Sequence, residues 1–320
     1  MPPPVPCSEL GEKCRHKKGK GRVIMANAKE IKSRIDGIKE TQKITNAMYL
    51  ISSAKMSKAK SDLDKTRPYF NALQAEIKRI FRTAGDVESQ YFYPDDSLEH
   101  NDGVFACLVI TADKGLAGAY NQNVIKATNR LLETHPDTKL FVVGEYGRHY
   151  FSQKNIPIER SFLYTAQNPT MHRAREICDV LVEQFNAGAV SKIIIIYTDY
   201  KNGFESECKY ERLIPFHKDQ FRTHENEKAV SVPFEFIPSV TAVLNNMIKS
   251  YISGYIYSAL IDSFCSEQQS RMTAMDGANR NADKLLSELT VQYNRMRQSA
   301  ITMSLTEVTA GAKAQKNRSE

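Results

Sequence analysis

The sequence predicts an α/β fold in which a compact, strand-bearing middle lies between two very long helices that pair as an antiparallel coiled coil. Two observations carry the prediction. Apolar residues recur at three- and four-residue spacing at both ends of the chain, through stretches almost free of glycine and proline. Between them the period shortens, and brief apolar runs alternate with amphipathic segments, as in a sheet with helices on its faces.

In chain order, residues 1–24 stand apart. "MPPPVPCSELGEKCRHKKGKGRVI" is Pro-rich and then basic, the composition of a disordered extension, and it has no apolar stretch like that of a secretory signal. Met25 opens a much more structured sequence, and translation is expected to start there. Codons for Gly19, Lys20, Gly21 and Arg22 can be purine-rich, as a bacterial ribosome-binding site is. Peptides from Ser8 to Lys13 in the native protein would rule that start out.

Residues 25–82 form the N-terminal helix, with Ile31, Ile35, Ile38, Ile44, Met48, Ile51, Met56, Leu63, Leu73, Ile77 and Ile80 at helical spacing. At 1.5 Å per residue it could reach about 80 Å. Pro68 is expected to kink or interrupt it. Residues 83–103, which include the turn-rich "YFYPDDSLEHNDG", read as a linker.

Residues 104–237 form the base domain. "VFACLVITA", "KLFVVGEYG" and "SKIIIIYTD" are its buried strands, with "SECKYERLIPF" and "PFEFIP" as later ones. Helical patterns near Asn121–Thr134, Gly147–Gln153 and Met171–Asn186 separate them. Residues 238–320 return to helix. Steps of three and four give Val240, Leu244, Met247, Tyr251, Gly254, Ser258, Ile261, Cys265, Gln268, Met272, Met275 and Asn279. The stripe continues through Ala282, Leu286, Leu289, Tyr293, Met296, Ala300 and Met303, a coiled-coil seam of roughly 100 Å, polar in places. A helix much longer than a domain diameter cannot be buried by its own domain. It needs a partner helix, and its far end needs something else around it.

Composition bounds the function. The chain has 320 residues, 41% hydrophobic and 25% charged, enough for one large domain or two ordinary ones. Runs such as "IIIIY" are too short to span a bilayer, so no direct membrane insertion is expected. Six cysteines without a C-x-x-C pair read as reduced thiols in a cytoplasmic setting. A net charge of +7 permits an acidic partner without choosing one.

"VITADKGLAGAYNQNVIKATNRLL" has the strand, Gly turn and helix of a phosphate-binding loop. Yet Lys114 precedes the glycines, no Ser or Thr follows Gly118, and the three-glycine dinucleotide spacing is missing. A plain strand-to-helix turn with Asn121 capping the helix fits better. His217 and His224, beside Glu225 and Glu227, lie seven apart in loop-like sequence and make no H-E-x-x-H pair, so no metal is expected. No catalytic constellation and no cofactor site emerges. Nucleic-acid surfaces usually add aromatic stacking residues, and the basic N-terminal helix has only Tyr49, Tyr69 and Phe70, while an acidic protein partner stays open.

These residues resemble the gamma subunit of F-type ATP synthases from Met25 onward. "IKSRIDGIKETQKITNAMYLISSAKM" looks like the first shaft helix, and "DKGLAGAYN" the strand-turn-helix of the base. "SEQQSRMTAMDGANRNA", "YNRMRQSAIT" and "LTEVTAGA" look like the C-terminal helix. The resemblance implies a bacterial-type central-stalk rotor with a Rossmann-like base, peripheral on the cytoplasmic side of the cell membrane. It couples proton flow to ATP synthesis or hydrolysis. The implied partners are alpha and beta subunits around the shaft, with epsilon and the c ring at the base. Met48, Arg297, Gln298, Thr302 and Glu307 would touch the catalytic ring. The chain departs from the family pattern at Ser304, where Glu is usual, and at Met303, where Gln is common. The plant-type regulatory dithiol has no matching cysteine pair, so redox control is not expected. From the residues alone, a dimeric α/β ligand-binding module and a basic coiled-coil protein that binds nucleic acid are the alternatives.

Overall fold

The computed structural model describes residues 7–84, 88–93, 103–163, 165–202, 205–218, 221 and 235–319. In chain order the elements are α1 (Cys7–Ala84), β1 (Phe105–Ile110), α2 (Tyr120–Thr134), β2 (Lys139–Val143) and α3 (Glu145–Gln153). They continue as β3 (Ile158–Phe162), α4 (Met171–Asn186), β4 (Lys192–Asn202), β5 (Glu205–Ile214) and α5 (Val240–Ser319). The expected α/β class, with long helices at both ends, is the one observed. The chain divides into two compact units, residues 50–274 and residues 1–49 with 275–320, so α1 and α5 contribute to both.

The first unit holds one five-stranded sheet in the order β3-β2-β1-β4-β5. β1 pairs in parallel with β2 and β4, β2 in parallel with β3, and β4 antiparallel with β5. The β1 side chains alternate between two cores, as a period of two requires. Ala106, Leu108 and Ile110 join Phe141, Val143, Ile193 and Ile195 beneath α4 and the parts of α1 and α5 in this unit. Phe105, Cys107 and Val109 join Leu140, Val142, Ile194 and Ile196 beneath Val124 and Leu131 of α2 and Phe151 of α3. Burial on both faces is why these strands are unbroken apolar runs.

This unit extends well beyond 104–237, because Ile77 and Ile80 of α1 and Leu244, Ile248, Ile252 and Ile256 of α5 are core residues of the sheet. Within the segment read as a linker, the turn-rich stretch begins with three buried aromatics, Tyr91, Phe92 and Tyr93. Tyr93 N–H donates to the Phe216 carbonyl (3.0 Å), and Phe216 N–H donates to that of Tyr91 (2.8 Å). Residues 94–102 lie outside the described residues. β3 was not foreseen: "IERSF" carries two charged residues and lies at the sheet edge, where little of it is buried. "PFEFIP" supplies no strand over residues 235–238, and its first two residues lie outside those described.

α1 passes through Pro68 without interruption. The proline leaves the Asp64 carbonyl without its helical donor, but the Asp64 side chain there is largely exposed and water can take that role. Helical backbone also begins at Cys7, so residues 7–24 do not match the disordered arm read from composition. The proline cluster ends at Pro6, and the Lys- and Arg-rich residues that follow are good helix formers.

In the second unit the two helices run antiparallel. Gln42 Nε2 donates to Asp283 Oδ1 (2.7 Å), Asn279 Nδ2 donates to Asn46 Oδ1 (2.6 Å), and the Thr45 hydroxyl donates to Asn279 Oδ1. Among the described residues of α5 beyond Arg280, only Ala282, Leu286, Leu289, Tyr293, Met296, Ala300 and Met303 are partly covered, the stripe read from sequence. The facing stripe on α1 differs from expectation. Gln42 and Thr45 are partly covered, whereas Ile44 is 61% exposed. The seam follows geometric spacing, and here that spacing selects polar residues over the neighbouring isoleucine.

Candidate functional site

The turn after β1 is tied to its surroundings by side chains. Thr111 Oγ1 donates to the Val143 carbonyl (2.8 Å) and accepts from Gly147 N–H (3.0 Å). Asp113 Oδ1 accepts from Glu145 N–H (3.0 Å), so a carboxylate of the chain itself occupies the N-terminus of α3. Gly144 has φ +96°, and a Cβ there would strike the Thr111 carbonyl, so this position needs glycine. Asn121 is not the cap of α2. That position is Ala119, which makes no side-chain cap bond, and buried Asn121 instead accepts from Ala112 N–H (2.9 Å), pinning helix to strand. Lys114, Gly115 and Leu116 are exposed. This geometry braces a turn, with the local donors of α3 already engaged.

His217 stacks near Tyr93, with ring centroids 5.0 Å apart. His224, Glu225 and Glu227 lie outside the described residues. Cys107, Cys178, Cys208 and Cys265 are free. Burial raises the thiol pKa to about 11 at Cys178 and Cys208 and to about 12 at Cys265, and raises Cys107 further. Such thiols stay protonated and are poor nucleophiles.

The residues singled out for partner contact are all in the helix-pair unit. Arg297, Gln298, Thr302 and Glu307 are exposed on α5. Thr302 Oγ1 donates to the Gln298 carbonyl (3.0 Å), so these two share one turn. Met48 is partly covered on α1, on the seam side of that helix. Arg297 and Ser304 line one hollow of about 360 Å³ with Ala28, Tyr293, Ala300, Ile301 and Leu305. The site therefore groups the α5 residues on successive turns, while Met48 belongs to the other helix.

This unit has hardly any core of its own. Ile35 and Met275 are its only buried residues among those described, whereas Ile44, Leu285, Val291, Ile301, Leu305 and Val308 are exposed. Burying a large apolar side chain contributes about 1.5–3 kcal/mol, and ordering each residue costs about 1–2 kcal/mol. Two such burials cannot order this length of paired helix. Exposed apolar surface of this extent marks a place that a partner covers.

Sequence reasoning missed the polar seam contacts of Gln42, Thr45, Asn46 and Asp283, because a search for apolar periodicity passes over them. It also missed the buried Glu267–Arg271 ion pair (2.6 Å), whose i, i+4 spacing was the available signal. Among the described residues no helix is long and apolar enough to cross a membrane.

Comparison with known proteins gives a consistent answer. The ATP synthase family model matches residues 27–315. The ATP synthase gamma chain of Caldanaerobacter subterraneus subsp. tengcongensis is 42% identical over 292 residues, covering 89% of this chain and 98% of the relative. That of Acetivibrio thermocellus is 40% identical over 297 residues, covering 91% and 100%. A chain of the Euglena gracilis mitochondrial ATP synthase, solved as OSCP/F1/c-ring in rotational state 3, shares the fold with a TM-score of 0.63. Its identity is 15%, and the match covers 92% of this chain and 96% of that one. With nearly its whole length matched from Asn27 onward, the chain belongs to the ATP synthase family, among relatives that are ATP synthase gamma chains.

Proposed function

We propose that this chain is the central-stalk rotor subunit of an F-type ATP synthase. It would couple proton flow through a membrane c ring to ATP synthesis or hydrolysis in an alpha/beta catalytic ring by rotating within it. The observation that carries this reading is a paired-helix unit with only two buried residues among those described, in a chain of this family. Two unlike helices present different side chains at every angle, so three surrounding sites meet different surfaces at any moment. Each site then has its own nucleotide affinity, and rotation exchanges those affinities in turn. That is coupling free energy delivered by differential contacts.

The chain itself supplies no bond-making groups in this reading, and catalysis belongs to the alpha/beta ring. Residues 25–82 and 238–320 are the shaft helices, 83–103 their connection to the base domain at 104–237, and 1–24 an extension ahead of the working part. Epsilon and the c ring bind the base, which sits peripherally on the cytoplasmic side of the cell membrane. Met48, Arg297, Gln298, Thr302 and Glu307 contact the catalytic ring. Ser304 removes a carboxylate from the hollow beside Arg297, which weakens charged contact there, while Glu307 keeps one on the next turn.

Affinity purification of the tagged chain from its native cell tests the reading. Alpha, beta and epsilon subunits should co-purify in a complex with ATPase activity, whereas isolation as a lone homodimer refutes it. Within the complex, Arg297→Ala or Gln298→Ala should slow ATP turnover roughly two- to tenfold, the scale of one lost hydrogen bond. Unchanged turnover in both variants would remove these residues from the contact set.

A further inference from the structure

Doubly wound sheets bind their ligands in the crevice outside the carboxyl ends of the strands, at the point where strand order reverses. Here the reversal falls between β1 and β4. The turn at residues 111–119 and the outer half of β4 bound the crevice, and α5 fills it. Ser263 Oγ accepts from Thr198 N–H (3.2 Å), and Ser266 Oγ donates to the Thr198 carbonyl (3.4 Å). Arg271 Nη2 donates to the Gly115 carbonyl (3.1 Å) and pairs with Glu267 (2.6 Å), both side chains being under 10% exposed. Tyr120 is buried at the start of α2, close enough to Ser263, Glu267 and Arg271 to feel their charges and dipoles.

We propose that the switch-point crevice is a built-in helix-holding site whose ligand is α5, and that Arg271 is the positioning residue through which the α/β domain passes force to that helix. This rests on the rotor reading and deepens it. Apolar contact holds α5 on the sheet but is non-directional and lets a helix roll. Hydrogen bonds to fixed backbone groups are directional and set the angle. A buried ion pair is a poor source of stability compared with apolar packing, so its presence here favours an orienting role. The charge balance points the same way. Glu267 and Asp113 bring two carboxylates to the crevice, one Asp113 oxygen is buried without a hydrogen-bond partner, and Arg271 and Lys55 are the cations acting on Glu267.

The test uses the assembled complex in sealed vesicles, comparing wild type with Arg271→Ala, Arg271→Lys and the neutral pair Glu267→Gln/Arg271→Met. For Arg271→Ala, protons pumped per ATP hydrolysed should fall about threefold while hydrolysis stays within about twofold, a modest loss of coupling free energy. Arg271→Lys, which keeps the charge and a donor, should recover most of the coupling. Amide exchange over residues 112–119 should quicken about tenfold, with β2 unchanged, as a local opening. If Arg271→Ala does not assemble, the neutral pair decides, since it removes the Glu267 charge together with that of Arg271. Wild-type coupling in the variants that assemble overturns the proposal, even if the turn exchanges faster, because the contact would then be structural only. Failure of the wild-type chain to support pumping with its partner subunits would refute the rotor reading instead.

Discussion

Among the described residues, Asp262 on α5 carries a clear pH signature. Burial, and then the nearby Asp199 carboxylate, raise its pKa from 3.8 to about 7, against opposing effects of Ser258, Arg67 and Lys209. Ser258 Oγ donates to it at 3.4 Å. Between pH 4 and 7 the folded chain therefore holds a proton that the unfolded chain releases, so stability falls as pH rises through that window and stays lower above it. Asp262→Asn should raise stability at pH 8 by at most about 4 kcal/mol, a gain that vanishes near pH 4. Denaturant titrations of the full chain at both pH values check this, and an equal effect at each would show that the group does not titrate as described. Gly254 is a second residue-scale test. A Cβ there would overlap the Phe70 ring, so Gly254→Ala should destabilise the unit by about 1–3 kcal/mol. Adding Phe70→Leu should restore part of the loss in the same titration.

At the scale of elements, the seam of α1 and α5 in the helix-pair unit is held by side-chain hydrogen bonds and few buried apolar groups. Peptides 26–49 and 275–317, mixed at micromolar concentration, should remain largely unfolded by circular dichroism, because short helices without a core do not nucleate. A stable, fully helical mixture would mean that the unit does not depend on partner surface. The same seam separates what periodicity can and cannot reveal. The α5 stripe from Ala282 to Met303 was legible residue by residue, because spacing alone defines it. Ile44 looked like seam and is exposed, since an apolar side chain scores the same whether it faces its own fold or a partner. Asn121 was misread as a cap for a related reason: its bond to Ala112 depends on how β1 and α2 approach each other.

For the whole molecule, the two units ask for different things. The sheet unit buries its strands on both faces and is stabilised from within, whereas the helix pair exposes apolar residues and Arg297, Gln298, Thr302 and Glu307 together. Full-chain protein free of its partners should accordingly show protease cleavage concentrated in residues 275–317 before any loss of the sheet, followed by mass spectrometry of the fragments. Equal resistance in both units would count against a dependence on partners. The sequence by itself determined the α/β class, both long helices, four of the five strands and the absence of a phosphate-loop pattern, because periodicity and glycine spacing are local properties. Only the tertiary structure decided that 50–274 is one unit, that Tyr91, Phe92 and Tyr93 are core, and that Arg271, paired with Glu267, meets the turn after β1. Those depend on which faces meet across long separations in the chain, and no local pattern carries that information.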